Sequence, residues 1–263
     1  MGEAPHRRAR GRRAEAVTRA VPRRGLANPF TPQAVLSEDA VEAIHRAALD
    51  VLEREGLRIL LPEAVEIFRA AGAAIEPDGL VRIGREIVEA ALAAAPGEIT
   101  VRAGAPEHDL RLAPGALNFG PGAGCPNATD RLRGRRPGSM RDFEELTRLA
   151  AGLDVLHIQA PMAEPQDIPP ARRHYEMTRA QLVASPKVPF IYARGQGQVA
   201  DCLDMLALGR GLSPDAFRAA PRCYTVINTN SPRQFDRPMA EGIIDFARAG
   251  QVSIITPFCL MGA

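Results

Sequence analysis

The sequence predicts an α/β protein: an incomplete (β/α)8 TIM-type barrel of about five strands, preceded by a mainly helical N-terminal region. Three observations carry that expectation. Short apolar runs recur about every 30 to 35 residues in the second half, centred near positions 157, 191, 226 and 254. Amphipathic helical patterns fill the intervals between them. Each run ends on Pro, Gly or Asn-Ser-Pro, which are strong breakers of regular structure. Strand and helix alternating at this interval build βαβ units and hence a parallel sheet.

The N-terminal elements can be taken in order. Residues 1–27 are expected to be a mobile basic tail. Residues 1–24 hold eight Arg against Glu3 and Glu15, a charge of +6 in a chain whose total is +2, so the remainder carries −4. So few large apolar residues could not offset the entropy of ordering such a segment. Residues 28–115 form the mainly helical region. In "SEDAVEAIHRAALDVLEREG", Val41, Ile44, Ala48, Val51 and Leu52 recur at helical spacing. Ser37 suits the N-cap, and Gly56 suits the stop. A second helix is expected near Pro62 to Ala71, then an extended "DGLVRIG", then a helix in "REIVEAALAAAP". The Gly- and Pro-punctuated stretch 97–124 reads as small strands and turns.

Residues 116–263 form the first part of the barrel, with "GALNFG" as feeder strand. "LDVLHIQAP", "PKVPFIYARG", "RCYTVINTNSP" and "QVSIITPF" supply four more strands, nearly continuous in apolar residues as double-faced burial requires. The helices between them are "SMRDFEELTRLAAG", "PARRHYEMTRAQLVAS", "GQVADCLDMLALGRG" and "RPMAEGIIDFARAG". A doubly wound nucleotide fold would place Gly-x-Gly-x-x-Gly after its first strand, and "GPGAG" has the wrong spacing. Five strands leave a barrel truncated, with an unpaired apolar edge at "QVSIITPF".

Composition excludes several functions. No apolar run approaches the roughly 20 residues that span a bilayer, and the N-terminus has no signal-type apolar core, so a cytoplasmic protein is expected. The basic tail has no aromatic for base stacking, which argues against nucleic acid. Cys125, Cys202, Cys223 and Cys259 form no Cys-x-x-Cys pair and are expected to be reduced thiols, mostly buried. The single lysine, Lys187, precedes its strand, the wrong end of a barrel for a Schiff base.

Function in parallel α/β folds gathers at the C-terminal ends of the strands. Those ends carry Asn118, Phe119, Gln159, Pro161, Met162, Tyr192, Arg194, Asn228, Asn230, Ser231, Pro257, Phe258 and Met261. The character is amide, aromatic and thioether. The nearest carboxylates, Glu164 and Asp167, lie further along one loop, and His157 sits in a strand interior. Such a mouth suits a substrate that needs holding more than protonating, and aromatic faces attract quaternary ammonium groups.

Several stretches resemble the trimethylamine methyltransferase family, whose members demethylate methylamines and betaines. They are "LSEDAVEAIHRAALDVLEREGLRI", "NFGPGAGCPNATD", "LHIQAPMAEPQDIPP", "NTNSPRQFD" and "TPFCLMGA", in the family's order over about residues 25–263. The resemblance implies a (β/α)8 barrel and transfer of a methyl group from trimethylamine or a betaine to the cobalt(I) corrinoid of a separate partner protein. It implies no tightly bound cofactor in this chain, no metal ligands, and a homo-oligomer at full length. It also implies that the chain is the N-terminal half of a longer enzyme, with the family's pyrrolysine position beyond its end. In a completed barrel Tyr192 and Phe258 would then form the ammonium site. Asn228 and Ser231 would position the rest of the substrate, with Gln159 and Met261 also in the pocket. Two other classes compete: a lyase or aldolase barrel, and an inactive half-barrel or interaction module.

Overall fold

The computed structural model describes residues 25–195 and 197–257. Residues 1–24 of the expected basic tail, Phe258, Cys259 and Met261 lie outside the described residues, whereas Leu26 and Ala27, placed in that tail by the sequence, form a strand.

The N-terminal region begins with β1 (Leu26–Ala27) and α1 (Glu38–Asp50). Ser37 caps α1, its hydroxyl accepting from the Ala40 N–H. The helix widens into one π-helical turn (Val51–Glu55) and stops at Gly56. Gly56 has φ of 71°, and a Cβ there would lie 2.7 Å from the Val81 carbonyl oxygen, so both conformation and space require glycine. Next come β2 (Leu57–Ile59), α2 (Pro62–Ala70), β3 (Ala74–Ile75), β4 (Leu80–Arg82) and α3 (Arg85–Ala94). The apolar stripe read on α1 exists, but Val41, Ile44 and Val51 are exposed, and Leu49 is the buried residue. Periodicity shows that a helix has an apolar face; it does not show what covers that face.

A hairpin of β5 (Ile99–Val101) and β6 (Leu110–Leu112) follows. β7 (Ala116–Leu117), inside the expected feeder strand, pairs antiparallel with β1. Two residues later the chain runs beside the next segment: His157 N–H donates to the Phe119 carbonyl oxygen (2.7 Å), and Phe119 N–H donates to His157 Nδ1 (3.0 Å).

A second hairpin, β8 (Asn127–Asp130) with β9 (Gly134–Pro137), leads into α4 (Met140–Ala151). Asp142 closes the capping box of α4 with Ser139 and also takes the Arg136 guanidinium. Burial pushes the Asp142 carboxyl up, but the Ser139 and Arg136 hydrogen bonds outweigh it and leave it below the usual range. Asp130 accepts from the Arg133 and Leu132 N–H groups and from the Arg133 and Arg136 guanidiniums, which hold it at about 2. Both carboxyls are depressed by folding, so each stabilises the fold above the ordinary carboxyl pKa of about 4, and that contribution is lost as pH falls toward 2. Thermal unfolding followed between pH 5 and pH 2 should show this decline. Asp130→Asn should flatten it; an unchanged slope would show that the hairpin charges do not act on folding.

The second half is built from α5 (Pro170–Ala184), α6 (Gln198–Gly209), α7 (Pro214–Arg218), β10 (Tyr224–Thr229), β11 (Gln234–Phe235), α8 (Arg237–Arg248) and β12 (Val252–Pro257). Ile158 bridges Val188 in parallel, Phe190 bridges Tyr224 in parallel, and β10 pairs in parallel with β12 from Tyr224↔Val252 to Thr229↔Pro257. The segments near 158, 188–190, 224–229 and 252–257 therefore lie side by side in chain order. The first two, read as full strands, are reduced to single bridges flanked by Pro161, Pro186 and Pro189; proline removes ladder donors.

Two cores sandwich this parallel layer. On one face Ile191, Ala193 and Ile227 pack against Val199, Cys202, Leu206, Phe217 and Phe246 of the helices. Gly242 lets α8 approach: a Cβ there would lie 2.3 Å from Ala193 Cβ. On the other face Val188, Phe190, Tyr224 and Val252 pack with Val101 and Leu110 of the β5–β6 hairpin. β11 leaves this layer and pairs in parallel with β2, giving a four-stranded sheet ordered β11-β2-β4-β3. Among the described residues β12 is paired on one side only, by β10, and Ile255 at this edge is 50% exposed. Cys202 and Cys223 are buried, whereas Cys125 is exposed, because it lies in the glycine-rich loop rather than in an element. No helix among the described residues is long and apolar enough to cross a membrane.

Candidate functional site

Side chains alternate across a strand, so Phe190 and Tyr192 share one face and Ile191 and Ala193 the other. The same alternation puts Tyr224, Val226 and Asn228 together on β10. The Phe190 ring meets Tyr192 edge-on at 4.8 Å and Tyr224 edge-on at 5.3 Å. Such perpendicular contacts fix ring orientation by matching a ring's positive edge to its neighbour's negative face. The Tyr224 hydroxyl is anchored by donating to the Gln159 carbonyl oxygen (2.7 Å). An aromatic ladder thus climbs the face covered by the β5–β6 hairpin, and Tyr192 stands at its C-terminal end, where it also packs against Phe143 of α4 and Met177 and Ala180 of α5.

Three segments close around Tyr192. The glycine-rich loop passes over it: a Cβ at Gly124 would come 4.0 Å from the Tyr192 hydroxyl oxygen. The loop is held by Gly124 N–H donating to the Pro161 carbonyl (2.9 Å) and Glu164 N–H donating to the Cys125 carbonyl (2.8 Å). Those bonds bring Glu164 to the site. Its side chain is 12% exposed and pairs with Arg173 of α5 (3.4 Å) and with Arg194. The Arg194 guanidinium lies over the Tyr192 ring, its carbon 3.9 Å from the centroid. Burial, with the negative charge of Glu164 second, pushes the Tyr192 phenol far up, so it is neutral throughout the physiological range.

The predicted site residues do not all converge. Asn228 stands on the Tyr192 face, exposed, and its side-chain oxygen accepts from the Thr256 hydroxyl (2.6 Å), which ties β10 to β12 at the same end. Gln159 is buried and faces the helices: its amide nitrogen donates to Ser185 Oγ (2.7 Å) at the end of α5. Parity explains this, since the neighbouring Ile158 packs with the core on the Tyr192 face. Ser231 lies in the turn between β10 and β11, where the chain departs to join β2. Phe258 and Met261 lie outside the described residues. Lys187, which precedes its segment, is buried, and its ammonium donates to the Ala150 (2.6 Å) and Leu153 (2.8 Å) carbonyls at the end of α4.

Sequence reasoning did not join Glu164 to Tyr192 and Arg194. It placed that carboxylate along a loop and the mouth without an acid. The contact with Arg194 spans 30 residues and leaves no periodic signal. Chemically, an aromatic face and a half-buried carboxylate meeting at one point can hold a cation, as they hold the Arg194 guanidinium. No cluster of metal-ligating side chains occurs among the described residues.

Residues 4–263 match the model of the family described as trimethylamine methyltransferase (MTTB). A glycine betaine methyltransferase of Desulfitobacterium hafniense (strain Y51) is 31% identical over 230 residues, covering 87% of this chain and 48% of that protein. The trimethylamine methyltransferase MttB of Desulfitobacterium hafniense (strain DSM 10664 / DCB-2) is 30% identical over 218 residues, covering 81% of this chain and 43% of that protein. The matched region thus spans less than half the length of either relative. With a match along nearly its whole length, the chain belongs to the trimethylamine methyltransferase family.

Proposed function

We propose that this chain carries the ammonium-binding part of a methyltransferase that moves a methyl group from trimethylamine or a betaine to the Co(I) corrinoid of a partner protein. One observation supports this most: a cation already rests where Tyr192 and Glu164 meet, at the C-terminal end of the parallel segments. A betaine's quaternary nitrogen departs as a neutral tertiary amine without being protonated, and trimethylamine bound as its trimethylammonium ion departs as neutral dimethylamine, so a site that binds the cation needs no general acid. Its tasks are to hold the nitrogen, exclude water and aim one N–CH3 bond outward at the acceptor, and orientation of this kind lowers a barrier substantially. The Tyr192 ring would hold the nitrogen, Glu164 would offset its charge, and Asn228 would contact the rest of the substrate. The acceptor cobalt is a co-substrate brought by the partner.

The same proposal reads the parallel segments as the start of a (β/α)8 barrel, with further strands continuing from the β12 edge to enclose the site. The chain-order pairing and the aromatic ladder on the face of the β5–β6 hairpin support it.

Tyr192→Leu tests the ammonium site. It keeps apolar bulk and removes the π face. In the natural full-length polypeptide, affinity for a quaternary amine should fall by about 0.5 to 2 kcal/mol. A neutral ligand with carbon in place of nitrogen should bind as before. Equal losses for both would mean that the ring only shapes the pocket.

A further inference from the structure

We propose that Arg194 is an internal occupant of the ammonium position, which it yields to ligands that bring an anion of their own. The inference rests on the ammonium site just described and adds a specificity-determining residue to it.

Both attractions that a methylated ammonium would seek are taken by one side chain. The Arg194 guanidinium sits 3.9 Å over the Tyr192 ring and pairs with Glu164. A ligand cation cannot use the ring and the carboxylate without moving it. The two arginines on Glu164 differ in freedom. Arg173 is 13% exposed and also donates to the Ile168 carbonyl (3.1 Å), which fixes it from behind. Arg194 is 41% exposed. When Arg194 leaves, Glu164 keeps Arg173, so the site retains its negative group and a fixed counter-charge.

The displaced guanidinium then needs a partner. A ligand with only a cation sends it into water with neither ring nor carboxylate. A ligand with a cation and a carboxylate exchanges both contacts: its ammonium takes the ring and Glu164, and its carboxylate takes the planar fork of Arg194, which suits bidentate pairing. Arg194 therefore penalises simple quaternary ammonium ions and favours zwitterions.

The test is equilibrium binding to the natural full-length polypeptide with three probes: tetramethylammonium, glycine betaine and 3,3-dimethylbutanoate, which has carbon in place of the betaine nitrogen. Glycine betaine should bind roughly tenfold tighter than tetramethylammonium, the scale of a charge-assisted pair. Arg194→Met should weaken betaine by a similar factor and should tighten tetramethylammonium about threefold or more, because the internal competitor is gone. Arg194→Lys keeps the charge without the planar fork and should fall between the two. It also serves if the Met variant fails to fold. The inference is overturned if tetramethylammonium equals betaine in the natural protein, if both ligands weaken alike in the Met variant, or if none of the probes binds. Methyl transfer assayed in parallel separates the two claims. Transfer without the Arg194-dependent reversal removes this inference alone, and the reversal without transfer removes the methyltransferase alone.

Discussion

Glu164→Ala should lower stability by about 1 to 3 kcal/mol, between the worth of an exposed ion pair and the cost of breaking a fully buried one. Glu164 and Arg173 have side chains only 12% and 13% exposed, so the change strands a guanidinium away from water. Arg173 keeps its bond to the Ile168 carbonyl, which holds the cost down. Arg194, 41% exposed, contributes little to the loss, because solvent takes it up. At this chain length the effect is a fall of roughly 2 to 12 °C in Tm. Glu164→Gln, which keeps shape and one acceptor, should lose less. If the Ala variant melts with the parent, the carboxylate is not a supporting element of the site.

Phe246→Ala should cost about 3 to 5 kcal/mol, the range for emptying a buried aromatic position. Phe246 is wholly buried on α8, among residues of α6, α7 and the parallel layer, including Leu206, Phe217 and Ile227. Three elements therefore line the space it would leave, and none can close it without moving the others. Chemical denaturation measures the loss. A value under about 1 kcal/mol would mean that α8 is not seated on the sheet as described.

The two positions show what a sequence reveals. Phe246 falls on a helical stripe in "RPMAEGIIDFARAG", so its burial follows from spacing alone. The helices α3, α5, α6 and α8 were legible for the same reason, with Pro or Gly marking their ends. The four apolar runs were legible as neighbours in a parallel order, since alternation with helices leaves few other topologies. Their hydrogen bonding was not: prolines at 161, 186 and 189 thin the ladder, and the composition of a run does not report that. Position at a strand end picked out Tyr192 and Asn228 and also Gln159, which faces the helices. Counting parity from Ile158 corrects Gln159. Nothing local could join Glu164 to Arg194, because the link is made by a loop folding back through the Gly124–Pro161 and Cys125–Glu164 backbone bonds.

The central claim is that a methylated ammonium gives up a methyl group at the end of the Tyr192 ladder. Its most direct measurement is methyl transfer by the natural full-length polypeptide to a Co(I) corrinoid protein, with trimethylamine and glycine betaine as alternative donors. The Co(I) absorbance should disappear as methyl-cobalt forms, with one demethylated amine released per cobalt, and Tyr192→Leu should slow this by weakening donor binding. If both donors leave the Co(I) spectrum unchanged with the folded protein and its corrinoid partner present, the methyltransferase account is wrong.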